Sequence, residues 1–502
     1  MLARDEVIPK ALRADQQEAI ERLREAIRIG KRRIVLQAAT GWGKTVVFSE
    51  ICERALRKGG RVLFTVPALS LVDQTVEVLA SQGIMDVGVI QQDHRLTNYN
   101  SSVQVASVQT LMRRGEDALR GFSVGVIDEC HLVFDFYAKR WFFDEGWKNT
   151  PIIGLSATPW TRGLGRLYDQ LVIAGTTASL IDQGVLAPFK AYAPSHPDLS
   201  GVKTVAGDFH EGELGAAMSR PQVVGDVVKT WNERARWQPT LLFAVNRAHA
   251  KHLSEKFQEA GVPCAYQDAG TCDSERAQIR DDFHTGKISV VCSVGTLIVG
   301  IDWDVRCLVF ARPTKSEILW VQAYGRGLRT APGKDYCLVL DHSDNHQRLG
   351  FPTEICHEEL HRGEKRQASG VKGPALPVEC PQCAALMSPL VRICPECGFE
   401  RQVVCRVREG EGLLEELPQR LRLRELLKLT DKRAVWAQLK YIQENRAYKP
   451  GWVAHKYQEI FGVWPRGVEG PPQKPSREMW DWFKTRGEFW NLVKRRREKI
   501  DA

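Results

Sequence analysis

No stretch of the 502 residues approaches the eighteen or so consecutive apolar residues that a membrane span needs, so a transmembrane helix is excluded. The first ten residues, MLARDEVIPK, hold no apolar core of the kind a secretory signal carries. The thirteen cysteines form no even framework. Such a set, scattered along a chain without an export signal, points to a reducing cytoplasm rather than to a disulfide scaffold. No repeat of short fixed period is present.

What is there is ordinary globular composition, 43% hydrophobic and 26% charged, long enough for two to four domains. The net charge of +9 is unevenly placed. Residues 398–502 hold 23 Lys and Arg against 15 Asp and Glu, leaving only +1 for the rest. Six of the fourteen tryptophans share that segment: Trp436, Trp452, Trp464, Trp480, Trp482 and Trp490. Basic charge interleaved with aromatics suits a polyanion with stackable bases. A solvated helical face over an aromatic core would give the same composition.

Strand-like and helical runs alternate. RRIVLQ, RVLFTVP, VQVASVQ, SVGVIDE and PIIGLSAT are apolar and β-branched, and ADQQEAIERLREAIRI and LSLVDQTVEVLASQG have helical spacing. Such alternation predicts a parallel sheet covered on both faces, over residues 1–185. The pattern restarts with TLLFAVN, PCAYQD, ISVVCSV, RCLVFARP and DYCLVLDHS, predicting a second α/β domain at 186–345. Residues 346–378 are polar and read as a linker. Residues 379–400 carry a cysteine cluster, and 401–502 form a mainly helical, basic, Trp-rich tail.

VLQAATGWGKTVV passes from a strand to a helix. Ala38 to Thr45 fits a phosphate loop, with alanine in place of the first glycine. Around Thr40, Gly41 and Gly43 the backbone N–H groups can curl about phosphate oxygens, and the helix N-terminus adds partial positive charge. Lys44 is then placed for the β and γ phosphates and Thr45 for Mg2+. The same pattern also makes a tight turn with a surface lysine. Asp128 and Glu129 end the strand SVGVID. Two adjacent acids there repel each other unless positive charge is close. Strand carboxyl ends share one sheet edge, so Asp128 can hold Mg2+ and Glu129 can orient and deprotonate a water. A paired structural acid is the alternative.

CPQCAALMSPLVRICPECG sets Cys380, Cys383, Cys394 and Cys397 as two C-x-x-C knuckles. Two knuckles make a closed tetrahedral site for structural Zn2+. A redox pair or metal-free thiols remain open.

With Asp128-Glu129-Cys130-His131 beside that loop, residues 12–345 resemble superfamily 2 helicases and translocases, built on two tandem RecA-like domains. LRADQQEAI resembles the adenine-side element, implying nucleotide contacts from Arg13 and Gln16, with Ala14-Asp15 where the family has Pro-Tyr. PALSLVDQ and SVQTL resemble strand-tracking motifs. SATP resembles the coupling motif, implying roles for Ser156 and Thr158. SVGTLIVGIDW contributes Gly300 and Asp302, and QAYGRGLR contributes Gln322, Arg326 and Arg329. The resemblance implies that both arginines reach the γ-phosphate across the cleft, and that His131 relays the nucleotide state. A packed histidine and surface arginines are the alternatives.

ARPTKSEILWVQAYGRGLRTAPGKDYCLVLDHSDN is similar to bacterial RadD-type repair helicases, which implies a bacterial or phage origin and a role in repair or recombination. The expected function is therefore an ATP- and Mg2+-dependent DNA motor acting on single-stranded or branched DNA. A single-strand-binding or recombination protein is an implied partner. An RNA helicase, a restriction-type duplex translocase, and a nucleic-acid-binding scaffold with a dead ATPase are the competing expectations.

Overall fold

The computed structural model describes residues 11–91, 94–113, 121–132, 134–137, 145–205, 207–297, 303–364, 376–401, 431–446, 448–461, 463–476 and 479–480. Residues 1–403 and 404–502 form separate compact units.

Seven parallel strands make the first sheet: β1 (Arg33–Ala38), β2 (Val62–Val66), β3 (Val87–Ile90), β4 (Val103–Ser107), β5 (Val124–Asp128), β6 (Ile152–Ser156) and β7 (Gln170–Gly175). Their order is β3-β4-β2-β5-β6-β1-β7. β1, β2, β4 and β6 are buried at every position. Valine and isoleucine on both faces suit a sheet sandwiched between helices. The order places β1 beside β6 and β6 beside β5. The loop after β1 and the acids at the end of β5 therefore open on one edge. VQVASVQ reads as strand through Gln109, but β4 stops at Ser107. Ser107 Oγ accepts from Thr110 N at 3.2 Å, which caps the helix Val108–Arg113.

The second sheet starts with β8 (Phe189–Tyr192). A two-stranded hairpin, β9 (Thr204–Val205) with β10 (Asp208–Phe209), follows it. β11 (Thr240–Phe243), β12 (Cys264–Gln267), β13 (Val290–Ser293), β14 (Cys307–Phe310) and β15 (Cys337–Asp341) complete the sheet. Its order is β12-β13-β11-β14-β15-β8, all parallel. Strands β3, β7 and β8 are elements the sequence patterns above did not single out. All three sit at sheet edges; β3 and β8 have only four residues each, and β7 and β8 are only partly buried, which weakens their apolar signal.

The segment after β15, read as a linker, makes specific contacts with both lobes. His357 Nε2 lies 2.7 Å from Glu317 Oε2 on the second lobe, and its ring meets Trp160 of the first lobe edge-on at 4.8 Å. The His361 carbonyl accepts from Gly163 N and Gly165 N, both at 3.0 Å, and Leu360 joins the first lobe's core. Residues 357–363 therefore strap one lobe to the other. The cysteine segment forms the hairpin β16 (Val378–Glu379) and β17 (Leu386–Met387), docked on the second lobe by Lys190–Glu396 at 2.8 Å and Tyr192 Oη–Glu396 at 3.2 Å.

In the other unit, helices Lys432–Asn445 and Trp452–Phe461 enclose a core of Val435, Leu439, Ile442, Val453, Tyr457 and Met479. Trp482 and Trp490 lie outside the described residues. No helix among the described residues is long and apolar enough to cross a membrane.

Candidate active site

The turn between β1 and the helix Lys44–Leu56 needs two left-handed residues, and glycines occupy both, Gly41 at φ 88° and Gly43 at φ 94°. A Cβ on Gly43 would stand 2.8 Å from Gln16 Nε2, and one on Gly41 would stand 2.9 Å from Leu186 Cδ2. Lys44 Nζ donates to the Ala38 carbonyl at 3.1 Å, so the ammonium folds back over the loop.

Trp42, between those glycines, is fully buried, and sequence patterns did not mark it. Its indole N–H donates to Asp15 Oδ2 at 2.6 Å, and its carbonyl accepts from both Arg13 Nη2 and Gln16 Nε2 at 2.9 Å. Arg13 also pairs with Asp15. Where the family pattern has Pro-Tyr, this chain thus uses Asp15 to hold an aromatic supplied by the loop itself. The signal was present as a bulky residue inside GWGKT. Its meaning depends on what it packs against.

Beyond β5, Glu129 adopts φ 46°, a conformation that costs a non-glycine residue of order 1 kcal/mol or more and tends to cluster at functional sites. Burial and the neighbouring Glu129 charge push the Asp128 carboxyl up to about 7, against the pull of Lys44 and Arg326. Burial also pulls Lys44 below its ordinary value, opposed by Glu129 and Asp128 and reinforced by Arg326 and Arg329. These mutual influences bring Lys44, Asp128, Glu129, Arg326 and Arg329 into one electrostatic cluster. Thr45 follows Lys44 in the first turn of the helix. Glu129 Oε2 is buried without a hydrogen-bond partner among the described residues; His131 Nδ1 lies 3.4 Å away. A divalent cation fits this surplus of buried, mutually repelling acceptors.

His131 connects the two lobes. Its Nδ1 lies 2.9 Å from Ser156 Oγ, and its Nε2 lies 3.3 Å from Gln322 Nε2 on the helix Glu317–Gly327. Gln322 Nε2 also donates to Thr158 Oγ1 at 3.2 Å, and Thr158 N donates to Ser156 Oγ at 3.0 Å. All four residues are buried. Burial holds the imidazole below its ordinary pKa, against the pull of Glu129, and so favours its neutral form. Lys334 caps the far end of the arginine segment, its ammonium donating to the carbonyls of Val305 and Gly327 at 2.6 Å and Arg329 at 2.7 Å. Neither Lys334 nor Gly325, which seats this helix against Thr40, was marked by sequence. Gly300 and Asp302 lie outside the described residues.

In the cysteine cluster all four Sγ atoms lie within 4.8 Å of one another, with Cys380–Cys397 at 3.6 Å and Cys383–Cys394 at 3.7 Å. Four thiolates at about 2.3 Å from a tetrahedral Zn2+ would stand about 3.8 Å apart, so the cluster fits that ion.

Two known families match the chain. The type III restriction enzyme, res subunit family matches residues 9–161, and the helicase conserved C-terminal domain family matches residues 220–331. The 51.5 kDa protein of a Lactococcus phage is 28% identical over 425 residues, covering 82% of this chain and 85% of that one. The Saccharomyces cerevisiae ATP-dependent-helicase-type protein IRC3 is 32% identical over 353 residues, covering 66% of this chain and 51% of IRC3. The chain thus spans about half the length of the yeast relative. Among solved structures, a fragment of an HsdR-type subunit of a type I restriction enzyme from Vibrio vulnificus YJ016 superposes with a TM-score of 0.52 at 19% identity. That match covers 72% of this chain and 69% of that chain, a likeness of fold.

Fold, cleft and matched families agree on the class, an ATP-hydrolysing helicase enzyme with two RecA-like lobes. Within that class the chain belongs to superfamily 2, as a DExH-type helicase whose box is Asp128-Glu129-Cys130-His131.

Proposed function

We propose that the protein is an ATP- and Mg2+-dependent DNA translocase or helicase, working on single-stranded or branched DNA in repair or recombination. The buried bridge from Ser156 and His131 to Gln322 and Thr158, with His131 Nδ1 3.4 Å from Glu129 Oε2, carries this reading. It joins the segment beside Glu129 to the helix that bears Arg326, and Arg329 follows two residues beyond that helix's end. Lys44 neutralises the β and γ phosphates, and Arg13 and Gln16 hold the adenine side of the loop. Glu129 orients the attacking water and takes its proton. Arg326 and Arg329 meet the charge that builds on the transferred phosphoryl group from the opposite lobe. Thr45 and Asp128 would hold Mg2+, which supplies charge neutralisation at the phosphates. Closure around ATP and opening after hydrolysis then move the lobes relative to each other along a strand. Cys380, Cys383, Cys394 and Cys397 would hold Zn2+, which would stabilise the docked hairpin.

Similarity to a restriction-enzyme subunit family supports DNA over RNA as the track. The RadD-like stretch supports repair or recombination. The test is steady-state ATP hydrolysis without nucleic acid, then with single-stranded DNA, duplex DNA or RNA, with Lys44→Ala as the blank. Stimulation by DNA but not RNA is expected. Stimulation by RNA alone would overturn the DNA assignment, and no turnover above the blank would overturn the motor.

A further inference from the structure

The helical unit keeps two of its aromatic rings outside its core. Tyr448 is 39% exposed and Trp464 51%, and neither belongs to the cluster built by Val435, Leu439, Ile442, Val453, Tyr457 and Met479. A small domain that can bury rings in a core does not need them at its surface. These two are also ordered relative to their neighbours. Tyr448 stacks on Trp452 with centroids 4.8 Å apart and planes at 18°, and Trp464 meets His455 edge-on at 5.1 Å. Trp452 and His455 are three residues apart on one helix, so both pairs share a face. Val463, 52% exposed, adjoins Trp464 in the chain. Lys456 follows Trp452 by four residues on the same helix, and Arg446, Lys449 and Arg466 are exposed beside the rings in sequence. Across 431–476 the unit carries eight Lys and Arg against four Asp and Glu, so the surroundings favour an anion.

We propose that Tyr448–Trp452 and His455–Trp464 form an aromatic ledge that stacks successive bases of a single strand of nucleic acid, while the flanking lysines and arginines hold its phosphates. Flat rings accept any base, because every base has a π-face, and the cations track the backbone without reading sequence. An acidic protein partner would answer the charge but would not need ordered flat rings, and duplex would offer no open base faces. The inference rests on the motor reading and deepens it by adding a grip on the track outside the nucleotide cleft.

The full-length chain tests it. Binding is measured to a fluorescent oligo-dT, to an oligo-rU and to an abasic oligonucleotide of equal length, across a salt series. Tyr448→Ala and Trp464→Ala are each expected to weaken binding to the base-bearing strands about tenfold, leaving abasic binding, salt slope and nucleic-acid-free ATP turnover unchanged. Tyr448→Phe and Trp464→Phe should restore binding. Lys449→Ala with Arg466→Ala should instead flatten the salt slope on all three. The oligo-dT and oligo-rU arms separate DNA from RNA as the source of the strand. The ledge is overturned if the alanine variants bind dT and rU like the wild type, or lose abasic binding to the same extent. If the wild type shows nucleic-acid-stimulated ATP turnover while the ledge variants change nothing, the ledge fails and the motor stands. If no strand stimulates turnover or binds, both fail.

Discussion

Gly325 of the second lobe lies against Thr40 of the phosphate loop so closely that a Cβ on the glycine would stand 2.6 Å from the Thr40 Cβ. The contact crosses the cleft and leaves no room for a methyl group. Gly325→Ala should gain up to about 1 kcal/mol of helix propensity within its own lobe while prising the lobes apart. The expected outcome is an unchanged or slightly raised melting temperature with ATP turnover reduced at least about tenfold. Equal loss of stability and turnover would show ordinary misfolding instead.

The Trp42 indole and Asp15 carboxylate make a part-buried hydrogen bond beneath the loop. Trp42→Phe keeps most of the ring volume and removes the donor. A destabilisation of about 1–3 kcal/mol is expected in denaturant unfolding, together with a several-fold rise in KM for ATP. An unchanged KM would confine the pair to a structural role.

Glu129 is assigned the water. Glu129→Gln preserves shape and removes the base, so nucleotide binding should persist while turnover falls at least about a hundredfold. Near-normal turnover would sink that assignment.

The four-cysteine cluster is tested by chelation. Stripping the metal, or Cys394→Ser, should lower bound zinc to background and expose the 378–400 backbone to hydrogen exchange, because binding and folding of such a site are linked. Unchanged exchange with the metal gone would separate the hairpin's fold from zinc.

Acid should destabilise the large unit through its buried histidines, at pH values above the ordinary carboxylate range. Burial holds His249 and His342 down to about 4 each, and both are almost fully covered. Their folded pKa lies below the unfolded value near 6.5, so between those values the unfolded chain binds more protons. Stability is then complete above about pH 6.5 and falls as pH drops toward 4. At pH 5.5 each contributes a loss of about 1 kcal/mol. Thermal melts at pH 7.5 and 5.5, with His249→Gln as a comparison, should show the wild type losing more between the two pH values.

Much of this protein was readable along the chain, because its chemistry is carried by residues that are neighbours in sequence. GWGKT, with its two left-handed glycines, must turn between a strand and a helix, and VGVIDECH must end a buried strand in acids. The parallel arrangement followed from apolar strands alternating with amphipathic helices. The two C-x-x-C pairs announced their convergence for the same reason, since each knuckle is local.

Only the tertiary structure decided what crosses from one lobe to the other. Gln322 and His131 are 191 residues apart, yet they meet at 3.3 Å. Thr40 is matched by a missing side chain at Gly325, and Asp15 by an indole 27 residues later. The polar stretch after β15 reads as a linker because its composition is hydrophilic. It becomes a strap because the His361 carbonyl finds N–H partners at both Gly163 and Gly165. Contacts of that kind rest on shape and on backbone groups that every residue possesses, so they leave no mark in composition or period.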